Sequence, residues 1–410
     1  MKKLFAPLSL LFFLSACATH QSLLSPAHKD LLGGNCENAT KTLGDLSAKE
    51  SNDQLLYLME YGSALQICKD YKKSNQVFLA ADKLSEQLDY ISASRVLGAT
   101  LLNEEMLQYK GDIFERLFIN ISLALNFIEL QQPSEAMVEV RRINEKYSKF
   151  SAEEKNSYEL NSFAQYLSGL IWESENNYDD ACISYKAAYK LDPTYRNVGL
   201  DMLTACWRAK RTQEFGLLAE ELKPTFEEIN FVKRKNKREK IVLFLQGLGP
   251  KKMPRPDNHI YPYLVPSHNL TRRMAVTFMD EKDTYQKSTS HQVYSVEKAA
   301  IATQEADYSS LSARRLGARV AKEVAADQIR QKDKTLGNLA WLVMVASERA
   351  DLRNWTLLPE SIQIIRFNPS KNSKISLVGL NRYDAETEKF PDIDLTENES
   401  KKIFTIRSIR

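Results

Sequence analysis

The side chains able to do chemistry are few and scattered. Five cysteines stand in the chain, at Cys17, Cys36, Cys68, Cys182 and Cys206. A thiol can carry a lipid, ligate a metal or pair into a disulfide, and spacing decides among these. No CxxC pair exists, so thiolate metal binding is not expected. His259, His268 and His291 fall in a loop-rich stretch and read as surface positions rather than a ligand trio. Gln246-Gly247-Leu248-Gly249-Pro250-Lys251-Lys252 superficially suggests a phosphate loop. It lacks the Gly-Lys-Ser/Thr ending and the following helix, so no nucleotide is expected there. The remaining candidate is the cluster of Asp351, Arg353, Trp355 and Pro359. An Asp and an Arg two apart can cap a helix end and pair with other charges. Trp355 can lock the connection onto the core, and Pro359 can aim the strand that follows. No nucleophile with an acid/base partner stands near it, so the sequence names no catalytic residue and implies no cofactor.

The start of the chain is the most informative stretch. Lys2 and Lys3 precede an apolar run from Leu4 to Leu14, broken only by Pro7 and Ser9. The run is too short to span a bilayer and reads as a secretory signal. Leu14-Ser15-Ala16-Cys17 then resembles the bacterial lipobox. The resemblance implies a diacylglycerol thioether on Cys17, cleavage between Ala16 and Cys17, and acylation of the new amino group. Two or more acyl chains hold a protein stably at a membrane. Ala18 stands where lipoproteins of the enteric type carry Asp for inner-membrane retention, which implies the outer membrane. Residues 1–16 are thus expected to be a signal peptide and 17–34 a lipidated tether.

Residues 35–230 carry apolar side chains at helical spacing with few prolines. The clearest unit has Gly169-x-x-Trp172, Tyr178, Ala181-x-x-x-Tyr185, Ala188 and Pro193. It resembles the tetratricopeptide repeat: small residues let two antiparallel helices approach, aromatic residues fill the space beside them, and Pro193 stops the second helix. Gly62-x-x-Leu65 with Ser74-x-x-x-Phe78, and Ala124-x-x-Phe127 with Ala136-x-x-x-Val140, repeat the spacing. A fourth unit around Leu203, Cys206 and Phe215 is degenerate, and insertions are expected at about 86–115 and 145–160. Stacked repeats bring like turns together. That register favours Cys36–Cys68 and Cys182–Cys206 as disulfides in an exported protein, with four packed free thiols as the alternative.

Residues 231–240 are a basic linker or an anionic contact. Beyond them, residues 241–410 read as an α+β domain. Ile241 to Leu245 is a buried strand, and the prolines from Pro250 to Pro266 give an extended loop. Helices are expected at Ser295–Glu305 and Ser310–Gln331, the second with Arg314, Arg315, Arg319 and Lys322 on a mixed or basic face. A third, Leu336–Arg349, has an apolar body and is expected to be buried. Strands follow at Ser361–Phe367, Ile375–Leu380 and Lys402–Arg407; the acidic stretch Asp384–Glu399 reads equally as a strand-linking loop or a contact site. The fold class is mainly α: a tetratricopeptide-like helical solenoid followed by a smaller α+β domain.

Three stretches together resemble a family of bacterial lipoproteins with this two-part layout: Gln246-Gly247-Leu248-Gly249-Pro250-Lys251-Lys252 after the strand, Ala350-Asp351-Leu352-Arg353-Asn354-Trp355-Thr356-Leu357-Leu358-Pro359, and the unit from Asn120 to Arg142. The resemblance spans most of the mature chain, and its motifs carry no assigned chemistry. It implies an envelope setting, since genes of this kind can lie beside lipoproteins that activate penicillin-binding proteins. A formal net charge of +3 excludes a strong nucleic-acid field. The expected function is a membrane-anchored scaffold or assembly accessory with a protein partner in the cell envelope. An envelope hydrolase or small-ligand sensor using the second domain is the alternative.

Overall fold

The computed structural model describes residues 20–95, 107–154, 160–233, 238–346, 348–371, 373–396 and 398–410. Ala16, Cys17, the apolar run before them and the middle of the basic linker lie outside the described residues, as does part of each expected insertion.

Five helix pairs build the solenoid. They are α1(His20–Leu32) with α2(Cys36–Ser47), α3(Gln54–Ile67) with α4(Tyr71–Arg95), α5(Ile113–Glu129) with α6(Pro133–Glu154), α7(Leu160–Ser174) with α8(Tyr178–Leu191), and α9(Arg196–Arg208) with α10(Thr212–Leu222). The first pair takes in most of the expected tether: Leu24, Ala27 and Leu31 of α1 are buried. One turn recurs in all five pairs. Gly34, Lys69, Gln131, Asn176 and Lys210 have left-handed backbone, each two residues before the second helix begins. In each, the next residue's N–H reaches back five positions, as Asp70 N to Leu65 O and Asn177 N to Trp172 O, both 2.9 Å. This closes the exposed carbonyl end of the first helix. Close approach explains two glycines. A Cβ on Gly62 would lie 2.6 Å from the Phe78 ring, and one on Gly169 would lie 2.5 Å from Tyr185. Ala124, Ala136 and Ala181 are fully buried at the corresponding contacts.

A short helix, α11(Phe226–Val232), leads into the second domain. Its strands are β1(Lys240–Gln246), β2(Lys251–Pro254), β3(Pro262–Val265), β4(Arg273–Met279), β5(Tyr285–Thr289) and β6(His291–Ser295), then β7(Ser361–Phe367), β8(Lys374–Leu380), β9(Glu386–Asp394) and β10(Ile403–Arg407). One sheet runs β10-β1-β7-β6, with β1 parallel to β10 and antiparallel to β7; a second, antiparallel, runs β5-β4-β8-β9. The apolar run of β1 follows from burial on both faces. Val242 and Phe244 pack against Met274, Val276 and Leu377 of the second sheet. Ile241, Leu243 and Leu245 face the other way and join the solenoid's core. The first sheet is therefore sandwiched between the second sheet and the helical half, and one apolar core crosses the domain boundary.

Three sequence expectations are corrected. Residues 250–266 are not simply an extended loop, because β2 and β3 pair there as an antiparallel ribbon. The two helices expected between 295 and 331 are one, α12(Val296–Arg330), of 35 residues. Of the two readings of its charged face, basic or mixed, a single basic face does not form: Lys322 is buried while Arg319 is exposed. The helix after it, α13(Lys334–Ala346), is not buried, and Leu336, Leu339, Leu342 and Val343 are exposed. Its apolar composition signals a surface that needs covering, which composition alone cannot tell from a core. The acidic stretch, left open by the sequence, is largely the edge strand β9.

Candidate functional site: a solenoid groove filled by the second domain

The first helices of the repeats carry acids inside apolar runs: Glu60 on α3, Glu115 and Glu129 on α5, Glu173 on α7 and Asp201 on α9. Glu60, Glu115, Glu173 and Asp201 are buried. A buried carboxylate needs partners, and here the second domain supplies many of them.

The strap from Ala350 to Pro359, between α13 and β7, reaches the N-terminal repeats. Asp351 accepts from Arg353 N, Nε and Nη2 at 3.0, 2.9 and 2.7 Å, which fixes the guanidinium. Arg353 Nη1 then donates to Asp53 Oδ1 (2.9 Å) and to Leu107 O (3.0 Å), with the guanidinium 5.2 Å over the Tyr109 ring. The Trp355 indole lies between Phe78 and Phe118, with centroids at 5.7 and 6.3 Å. Its Nε1–H donates to Ser63 Oγ at 2.9 Å, and its backbone N–H to Glu115 Oε1 at 2.6 Å. Thr356 donates from both N and Oγ1 to Glu60 Oε1, at 2.6 and 2.7 Å. The glycine-rich stretch supports the strap from behind. Gly249 N donates to Leu358 O (2.7 Å) and Asn354 Nδ2 to Pro250 O (3.1 Å), while Lys252 pairs with Asp112 at 2.7 Å. Pro359 is buried where the strap turns into β7.

Two further anchors lie along the groove. Glu129 accepts from Thr405 N and from Lys401 Nζ, the latter at 2.7 Å. On β7, Arg366 pairs with Glu173 at 2.8 Å, Asp201 at 2.7 Å and Glu239 at 3.3 Å. Arg208 also reaches Glu173 and Glu239, at 3.0 and 3.1 Å. Tyr185 Oη donates to Glu173 (2.7 Å) and Tyr166 Oη to Asp201 (2.6 Å).

Electrostatics follow the anchors. Burial, with Asp112 adjacent, pushes the Glu115 carboxyl up to about 7 against the pull of Lys252 and the Trp355 N–H. Burial pushes Asp201 up to about 6 despite Arg366. At Glu173 burial pushes the same way, but Arg366, Tyr185 and Arg208 outweigh it and hold the carboxyl below its usual range. Every acid in these clusters is met by donors, and the reach of the groove is filled by protein. Among the described residues, the arrangement joins the two halves of the chain through paired charges. A separate open cleft of about 520 Å³ is lined among others by Arg255, Asp257, Tyr263, Glu305 and Tyr308, and none of the described residues that line it is His, Ser or Cys. Its Asp257 is paired with Arg255 at 3.0 Å and kept below the usual carboxylate range.

The other sequence candidates fall as follows. Cys36, at the start of α2, is bonded to Cys68 at the end of α3, with Cα atoms 5.8 Å apart. Cys182 on α8 is bonded to Cys206 on α9, with Cα atoms 4.8 Å apart. Each bond ties the second helix of one pair to the first helix of the next. Trp172 is half-buried against the core, and Pro193 is exposed just past the end of α8. Among the described residues, no group of three or more His, Cys, Asp or Glu is placed to hold a metal, and no helix is long and apolar enough to cross a membrane. Sequence reasoning missed Glu60, Glu115, Glu129, Glu173, Asp201 and Arg366. For the five acids the available signal was an acid at a position inside an otherwise apolar helix face, and for Arg366 a base inside the apolar strand β7.

No family model matches the chain, and no curated protein matches it. Among solved structures, the chain is similar to MamA (residues 41 to the end) of Desulfovibrio magneticus RS-1. The identity is 16%, over 48% of this chain and 90% of that one, with a TM-score of 0.31. It is also similar to BtubC of P. vanneervenii at 13% identity, over 50% of this chain and 78% of that one, with a TM-score of 0.36.

Proposed function

We propose that the protein is a cell-envelope lipoprotein, anchored through Cys17 and working as a non-catalytic scaffold for protein partners in cell-wall or surface-structure biogenesis. The observation that carries the reading is the Arg353–Trp355 strap buried in the solenoid groove. A solenoid normally offers its concave face to a partner. Here much of that face is met by the chain's own second domain, which joins the two halves through a shared core. Partners are then held on the outer surfaces, not threaded through the groove. The envelope setting is supported by the lipobox-like Leu14-Ser15-Ala16-Cys17 and by two disulfides, which persist in oxidising compartments.

Removing the repeats to test this would strip the cover from Ile241, Leu243 and Leu245 and unfold the second domain. The suitable experiment keeps the full chain. It is cross-linked in living cells and purified with its lipid, and what accompanies it is identified by mass spectrometry. Recurrent capture of the same envelope proteins supports the scaffold; repeated preparations with no recurrent partner overturn it. In parallel, Cys17→Ser is expected to move the protein out of the membrane fraction, and its retention there would overturn the lipid anchor.

A further inference from the structure

The helical hairpin of α12 and α13 carries apolar surface in two opposite directions. The inner face, where the helices meet, combines small and polar groups with the half-buried Trp341 and Met344. Ala326 is fully buried, Gly337 sits against Arg330, and Lys322 Nζ donates to Glu348 Oε1 at 3.1 Å. Two residues along an α-helix is a rotation of about 200°. Val320 and Val324, two before Lys322 and Ala326, therefore face away from α13, with Leu316 in the same row. On α13, Leu339 stands two after Gly337 and Leu342 two before Met344, so they and Val343 face away from α12. Leu316, Val320, Val324, Leu339, Leu342 and Val343 are each 54–67% exposed.

We propose that this hairpin assembles copies of the chain head to tail, the α12 row of one copy packing on the α13 face of the next. The two faces together offer on the order of 600 Å² of apolar surface, the apolar share of a standard interface of roughly 1,200 Å². Pairing by a two-fold axis would cover one face and leave the other in water. A repeated heterologous contact covers both in every copy, and closes into a ring where the rotation allows. Lys332 and Lys334 flank the α13 face at the hairpin tip; Glu323 and Asp327, which share Arg330 of their own helix at 2.7 and 3.4 Å, flank the α12 row near the same end and leave one net negative charge there. A lipid surface fits less well. A helix lying in a membrane interface needs one polar side, and tip-first insertion would bury Arg330, Lys332, Asp333 and Lys334. The inference stands independently of the scaffold reading.

The test uses the full chain in mild detergent and two exposed-site variants, Val320→Glu and Leu342→Glu, with far-UV circular dichroism as the folding check. Sedimentation of the unsubstituted protein is expected to give a species larger than a dimer, and each variant alone a monomer. Mixing the two variants is the decisive step. Val320→Glu keeps an intact α13 face and Leu342→Glu an intact α12 row, so the mixture is expected to form a one-to-one dimer and nothing larger. A mixture that stays monomeric, or an unsubstituted protein that stays monomeric at tens of micromolar, overturns the proposal. So does hairpin-dependent binding of the monomer to anionic phospholipid vesicles, which would assign these faces to lipid.

Discussion

Trp355 and Ser63 stand 292 positions apart, yet the indole Nε1–H of one donates to the hydroxyl of the other at 2.9 Å. That bond closes the strap onto the first repeats and spans most of the described chain. Its surroundings make it consequential. The indole is almost fully buried between Phe78 and Phe118, while the adjoining backbone N–H groups of Trp355 and Thr356 cap Glu115 and Glu60.

Trp355→Ala is expected to cost about 3–5 kcal/mol of unfolding free energy, the range for emptying a site of this size. Trp355→Phe, which keeps the ring contacts and leaves Ser63 Oγ without its donor, is expected to cost less. Urea denaturation followed by circular dichroism measures both. A loss below about 1 kcal/mol for the alanine variant would mean that the strap lies on the solenoid without holding it.

Arg366 is the sharpest electrostatic test. It pairs with Glu173, Asp201 and Glu239 at one buried point, sharing Glu173 and Glu239 with Arg208. Arg366→Met keeps the length of the side chain and leaves the acids to repel one another, for an expected loss of about 3–5 kcal/mol. Adding Asp201→Asn to that variant removes one of the stranded charges and is expected to recover part of the loss. Equal stability of the single and double variants would show that these charges do not interact as their distances imply.

The chain's pattern announced the helix pairs more clearly than it announced their joining. Gly62 with Phe78 and Gly169 with Tyr185 are readable, because close packing leaves few residue choices at those positions. The shared turn is harder to read, because Gly34, Lys69, Gln131, Asn176 and Lys210 adopt the same left-handed backbone with four different residue types. An L-residue there costs only about 1–2 kcal/mol, so selection for glycine is weak and the regularity sits in spacing alone. Ile241 to Leu245 reads as a buried strand, but nothing in five apolar residues says that alternate ones face a helical layer and a second sheet. The strap was visible as Asp351, Arg353 and Trp355; its acceptors were not, since Glu60 and Glu115 are ordinary helix residues until the fold brings donors to them. The apolar run of α13 was misplaced for the converse reason, as exposed and buried Leu and Val look alike in sequence.

The two disulfides should differ in their response to reductant. Cys182 and Cys206 are fully buried, whereas Cys36 and Cys68 are partly exposed. Mild reduction of the native protein is expected to open Cys36–Cys68 first, with Cys182–Cys206 following only on local unfolding. Differential alkylation and peptide mapping reads the order. Each bond closes a loop of moderate length, with sequence separations of 32 and 24, so each is expected to contribute about 3–4 kcal/mol. Simultaneous labelling of all four thiols in the native protein would contradict the assignment.

Glu115 predicts how the joined halves respond to pH. Its carboxyl rises from an ordinary 4.5 to about 7 on folding, chiefly through burial. A carboxyl raised in this way binds its proton more tightly in the folded than in the unfolded chain. Its contribution is therefore fully present below about pH 4.5 and is lost as pH climbs toward 7. Asp201, raised to about 6 by burial, acts in the same direction over a narrower window. Glu173 acts oppositely, but its lowered carboxyl titrates below that window. Stability is thus expected to decline as pH rises from about 4.5 to 7. Glu115→Gln removes the titrating group, so its melting temperature is expected to fall less steeply over that range, whatever its absolute value. Thermal unfolding of both proteins at a series of pH values decides the matter, and parallel curves would mean that Glu115 is ionised throughout and that its donors outweigh its burial.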